Sequence, residues 1–202
     1  MPTFKTVLFD WEGVIGPQDT QSFGWLMRRL THKYGVEQAQ TIVALSSAVG
    51  DFMTGHITNE LFWQKVGKSL GVSFTPEFQQ TIWQDWPGAQ AIPEMEALVR
   101  EVKRRGLRAV VFSNILPASA AKIREIAGYD GFDAEVLSCE VGFKKPDPAI
   151  YQKALDAAQC LPKECIFIDD KEPNLVPARA LGMTTILAIN PKQIEQDLLQ
   201  LL

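Results

Sequence analysis

The sequence predicts an α/β fold: a parallel sheet flanked by helices, with an all-helical segment inserted after the first strand. Three observations predict it. Short apolar runs rich in β-branched and aromatic residues recur at 4–9, 109–113, 134–138, 165–168 and 184–189. They show little alternation, as expected of strands buried on both faces of a parallel sheet. Helical patterns lie between the later runs, whereas 17–87 carries helical patterns and no convincing strand.

In chain order, the run 4–9 ends in Asp10-Trp11-Glu12-Gly13. Helices are then expected over 22–34, 37–49, 58–70 and 76–83. Thr75 before Pro76 supplies an N-cap with proline at the first helical position, and Phe62, Val66 and Leu70 form an apolar stripe. About 70 structured residues are too many for a loop, so 17–87 reads as a helical cap domain, entered near Gly16-Pro17 and left near Pro87-Gly88. Residues 1–16 and 88–202 then form the core domain. Pro93 opens the next helix, Met95, Leu98, Val99 and Val102 form its buried stripe, and Gly106 follows its basic last turn. Helices at 117–127, 148–159 and 174–181 alternate with the remaining strands, which is the pattern of right-handed βαβ units.

Composition narrows the partners. The chain has 202 residues, a net charge of −4 and 22% charged residues, so no nucleic-acid surface is expected. No apolar run approaches the roughly 20 residues of a membrane span, and no signal peptide is visible at the N-terminus. A cytoplasmic setting is therefore expected, and Cys139, Cys160 and Cys165, without CxxC or zinc spacing, read as reduced packing residues.

Carboxyl ends of parallel strands share one edge of the sheet, where ligands bind. Four such ends carry polar chemistry: Asp10 and Glu12; Ser113-Asn114; the stretch Lys144-Lys145-Pro146-Asp147-Pro148; and Asp169-Asp170. Asp10, Asp169 and Asp170 brought together cannot all stay ionised without a counter-charge. Hard oxygen ligands without nearby His or Cys favour Mg²⁺. A neighbouring lysine would steady the anions, and a serine hydroxyl would bind further oxygens. Taken singly, Asp169-Asp170 could cap a helix, Ser113-Asn114 could be turn residues and Lys144 a solvated charge. His32 and His56 have no ligand-like partner and read as surface or structural residues.

These four motifs, Phe9-Asp10-Trp11-Glu12-Gly13-Val14, Phe112-Ser113-Asn114, Gly142 to Pro148 and Phe167-Ile168-Asp169-Asp170, stand in the order found in the haloacid dehalogenase (HAD) superfamily, which the chain resembles over nearly its whole length. The resemblance is closest to sugar-phosphate phosphatases and the N-terminal phosphatase domain of soluble epoxide hydrolases. It implies a Rossmann-like core with a C1-type helical cap and a Mg²⁺-dependent phosphatase acting through an aspartyl-phosphate. It implies Asp10 as nucleophile and metal ligand, Glu12 as acid/base with its backbone carbonyl on the metal, and Lys145 as the motif lysine. Ser113 and Asn114 would bind or shape the phosphate site, and Asp169 and Asp170 would hold Mg²⁺. The expected partner is a small phosphorylated metabolite, and the chain a monomer or weak homodimer.

One departure matters. The family's phosphatases carry Asp-x-Asp where this chain has Asp-x-Glu, a carboxyl displaced by about one carbon–carbon bond. Misplacement near 1 Å can cost on the order of 10²-fold, so slowed turnover is expected rather than none. Two other readings stay open: a 2-haloacid dehalogenase, against which Asp169-Asp170 argues, and a weakly catalytic or non-catalytic binder of phosphate or a partner.

Overall fold

The computed structural model describes residues 4–18, 21–126 and 128–202. Five strands, β1 (Thr6–Phe9), β2 (Arg108–Ser113), β3 (Ala134–Leu137), β4 (Cys165–Asp169) and β5 (Thr184–Leu187), form one sheet in the order β3-β2-β1-β4-β5. Every neighbouring pair is parallel. β1 is central, with Phe9 paired to Val111 on one side and Ile168 on the other. All four of its residues are buried, which explains the unbroken apolar run.

Between β1 and β2 lie α1 (Ser22–Tyr34), α2 (Gln38–Met53), α3 (Asn59–Leu70), α4 (Pro76–Thr81) and, after a 3-10 turn at Pro87–Ala89, α5 (Pro93–Arg104). Thr75 caps α4 as expected, its hydroxyl accepting from Phe78 N–H at 3.2 Å. α2 runs past Gly50 to Met53 because Phe52 is drawn into an aromatic cluster, stacked on Phe62 with centroids 4.3 Å apart. Trp63, Phe74 and Phe78 extend that cluster. The chain leaves β1 and returns at adjoining points: Trp11 Nε1 donates to Gly88 O at 2.9 Å, and Ile92 N–H donates to Ile15 O at 2.8 Å.

The second half follows as α6 (Pro117–Glu125), a one-turn α7 (Ser138–Val141), α8 (Pro148–Ala158), α9 (Glu172–Ala180) and α10 (Pro191–Leu201). The expected end of the 117–127 helix falls on Ala127, outside the described residues. Two apolar layers sandwich the sheet. One joins Val7, Phe9, Val111 and Ile168 to α5 and α10. The other joins Leu8, Val110, Phe112 and Phe167 to α8 and α9. Among the described residues no helix is long and apolar enough to cross a membrane.

Candidate active site

Parallel pairing in register brings the last residues of β1, β2 and β4 to one edge of the sheet. Asp10 follows β1, Ser113 ends β2 and Asp169 ends β4. Lys145 arrives from the loop before α8, held by the Asn114 side-chain amide. Asn114 Nδ2 donates to Lys145 O at 2.8 Å, and Lys145 N–H donates to Asn114 Oδ1 at 2.7 Å. Asn114 thus binds the lysine loop to the end of β2.

The Lys145 ammonium is wholly buried. It donates to Asp169 Oδ2 at 2.6 Å and to Phe112 O at 2.8 Å, and it stands 3.2 Å from Asp10 Oδ1. The faces of Phe112 and Phe167 lie 4.9 and 5.2 Å from it. Asp10 Oδ1 also accepts from Ser113 Oγ at 2.6 Å and from Trp11 N–H at 2.8 Å. All of these contacts converge on Oδ1, so the second carboxylate oxygen takes none of them. Asp169 accepts from several protein donors: Lys145 and Asn174 Nδ2 at Oδ2, and Asn174 Nδ2 and Lys171 N–H at Oδ1. Asn174 therefore organises this loop from inside α9.

Asp10, Asp169 and Asp170 each offer a carboxylate oxygen, all within 4.8 Å of one another. Asp170 Oδ1 is buried and accepts no hydrogen bond among the described residues, although the Lys171 ammonium lies 3.6 Å away. A group of oxygens with one such unmet acceptor and no His or Cys suits a hard divalent cation of the Mg²⁺ class. Gly13 makes room for this arrangement. It sits at φ +93°, and a Cβ there would lie 2.7 Å from Asp170 Oδ2.

Glu12 is brought to the same edge, but its side chain turns towards the first residue of α1. Ser22 N–H donates to Glu12 Oε2 at 3.2 Å, while Oε1 is buried without a partner among the described residues. Immediately before it, Gln21 Nε2 donates to Asp170 Oδ2 at 3.1 Å. Gln21, Ser22 and Lys171 are thus site residues that sequence reasoning passes over. Lys171 could have been suspected from its place directly after Asp170. Gln21 and Ser22 carry no local signal, since their partners lie 149 and 10 residues away. Lys144, by contrast, is exposed as expected, and so are His32 and His56.

Burial sets the electrostatics. It pushes the Asp10 carboxyl up to about 6, against the pull of Lys145 and with a further push from Asp169. It lifts Glu12 to about 7, the Ser22 bonds only partly opposing it. Asp170 is raised for the same reason. Burial works to lower Lys171, but Asp10, Asp170, Asp169 and Glu12 together hold its ammonium above the ordinary lysine range.

Glu12 gives a pH prediction. The unfolded chain releases this proton above 4.5 and the folded chain only near 7. Between those values the folded state holds the extra proton, so stability falls as pH rises, by roughly 3 kcal/mol across the window. In metal-free protein, Glu12→Gln is expected to flatten this fall, leaving the contributions of Asp10 and Asp170. Urea unfolding at pH 4.5 and 7.5 with chelator present measures it. Parallel pH dependence in the two proteins would refute the assignment.

A family model described as haloacid dehalogenase-like hydrolase matches residues 4–182. Mouse bifunctional epoxide hydrolase 2 is 31% identical over 67% of this chain and 26% of its own length. A sesquiterpene phosphatase of Aspergillus oryzae is 29% identical over 90% of this chain and 88% of its own. The chain spans 19% to 26% of the length of several longer curated relatives that it matches. Among solved structures, a HAD family enzyme of Bacteroides thetaiotaomicron in complex with magnesium and inorganic phosphate superposes with a TM-score of 0.74. It is 22% identical, and the match covers 91% of this chain and 93% of that one. L-2-haloacid dehalogenases share the fold at TM-scores of 0.64 and 0.61. At these identities the structural likeness speaks to the fold alone.

Proposed function

Because the chain belongs to the haloacid dehalogenase-like hydrolases, we propose that it is a Mg²⁺-dependent phosphatase, acting on a small phosphorylated metabolite through an aspartyl-phosphate on Asp10. The observation that carries this reading is the meeting of Asp10, Ser113, Lys145, Asp169 and Asp170 at one sheet edge, where the donors to Asp10 among the described residues converge on Oδ1. The names of the phosphatase relatives support it.

Asp10 Oδ2 attacks phosphorus in line with the departing oxygen. Ser113 Oγ and the Lys145 ammonium hold Oδ1 and thereby fix the angle of attack. Asp10, Asp170 and the backbone carbonyl of Glu12 would hold Mg²⁺, together with Asp169. When bound, the ion would neutralise phosphoryl oxygens and keep the nucleophile ionised. Glu12, with its pKa near neutrality, is suited to protonate the leaving alkoxide and then to take a proton from the water that attacks the phosphorylated aspartate. Its extra methylene lets the carboxyl reach Ser22, a position from which proton delivery is slower than from a shorter acid. Residues 17–87 act as the cap and 1–16 with 88–202 as the core. The adjoining points at which the chain leaves and returns support that division.

The test is phosphate release from p-nitrophenyl phosphate and from a panel of sugar and prenyl phosphates, with Mg²⁺ and with chelator. Chelator-sensitive release supports the proposal. Chloride release from 2-haloacids without metal would replace it with the dehalogenase reading. Phosphate binding without turnover would replace it with the non-catalytic one.

A further inference from the structure

Far from the acidic cluster, two thiols meet. Cys160, just past the end of α8, and Cys165, the first residue of β4, place their Sγ atoms 2.7 Å apart. That is about 0.7 Å beyond a disulfide bond. The sequence reading treats the three cysteines as separate packing residues, because four residues between Cys160 and Cys165 match no redox motif.

The turn between them is held closed. Residues Pro162–Glu164 form a 3-10 turn. Leu161 N–H donates to Glu164 Oε2 at 2.9 Å, and Glu164 N–H returns to Leu161 O at 2.8 Å. Lys5, ahead of β1, grips the same residue: its N–H donates to Glu164 O at 2.9 Å and its ammonium stands 2.9 Å from Glu164 Oε1. The thiols are brought together by these bonds before any bond between sulfurs exists. Access is unequal. Cys160 is half-buried beside exposed Leu161, whereas Cys165 is fully buried.

We propose that Cys160 and Cys165 are a reversible dithiol–disulfide site, oxidised by a small disulfide of the glutathione class. The Cys160 thiolate attacks one sulfur of that disulfide, forming a mixed disulfide and expelling one small thiolate. Cys165 then attacks the Cys160 sulfur as its proton passes to the second departing thiolate. Two protein thiols lose two electrons, and one small disulfide becomes two thiols. Burial pushes the Cys165 thiol well above the ordinary range, which keeps it from starting the reaction and leaves that step to the more exposed Cys160; Cys165 follows because its sulfur already lies against that of Cys160. Cys139, in α7, stands apart, its thiol raised to about 11 by burial.

The full chain is incubated with excess oxidised glutathione, blocked with an alkylating agent, and mapped by peptide mass spectrometry. The expected product is a Cys160–Cys165 linked peptide, reversed by dithiothreitol, with Cys139 alkylated. Cys139→Ser should close equally well. Cys165→Ser should stop at a glutathione adduct on Cys160, and Cys160→Ser should form no adduct at position 165. The wild-type map decides alone should either of the last two variants fail to fold. Three alkylated thiols, a stable glutathione adduct on wild-type Cys160, or disulfide-linked dimers would each overturn the proposal.

Discussion

Asp10→Asn is expected to abolish Mg²⁺-dependent phosphate release, lowering kcat on the order of 10⁴-fold or more, while the protein stays folded. The amide keeps the shape of the carboxyl, and its oxygen can still accept from Ser113 Oγ and Trp11 N–H, which wild-type Asp10 holds at 2.6 and 2.8 Å. What disappears is the second anionic oxygen, and with it the nucleophile. Losing one member of an interdependent catalytic group typically removes nearly all of the group's contribution. Stability should move the other way. Asp10 is buried among Asp169 and Asp170, and burial already drives its carboxyl up to about 6, so a neutral side chain relieves repulsion in metal-free protein. Steady-state assays paired with thermal melts in chelator check both halves. Turnover that survives in Asp10→Asn, at a rate near wild type, would sink the nucleophile assignment.

Lys145→Met should damage both turnover and fold. The ammonium is the counter-charge for Asp10 and Asp169 and fills a slot between two aromatic rings. Removing one partner of a buried ion pair destabilises by about 3–5 kcal/mol. For a chain of this length that is a fall in Tm of roughly 10 °C. Methionine keeps most of the volume, so the loss reports charge rather than a cavity. Mg²⁺ should restore part of the melting temperature by supplying positive charge nearby, but little of the activity, because Asp10 loses the group that orients Oδ1. A melting temperature equal to wild type in chelator would show that the three carboxylates do not depend on this lysine.

The sheet is legible in the sequence because its strands are buried on both faces and so appear as uninterrupted apolar runs. Boundaries are less so where a side chain serves a distant loop. Ser138 reads as the end of a strand but begins α7, since its hydroxyl exchanges hydrogen bonds with Ile115 N–H and O. The last helix, α10, passes unread in sequence although Asn190-Pro191 followed by Ile194 and Leu198 is an available start signal. Asn190 Oδ1 does accept from Gln193 N–H. Within the site, Asp10, Ser113, Asp169 and Asp170 are legible because they close strands, and Lys145 because it stands directly before the proline-marked turn Pro146-Asp147-Pro148. The Gln21 and Ser22 contacts are not, because they depend on how α1 settles onto the sheet edge. The Cys160–Cys165 approach depends likewise on the turn that Lys5 and Glu164 fasten.

The bond from Ser22 N–H to Glu12, and that from Gln21 to Asp170, have a corollary. On the proposed function, the same helix end is moored to the assigned proton donor and to an assigned cation ligand, so proton transfer and cation binding both depend on α1 being seated on the sheet edge.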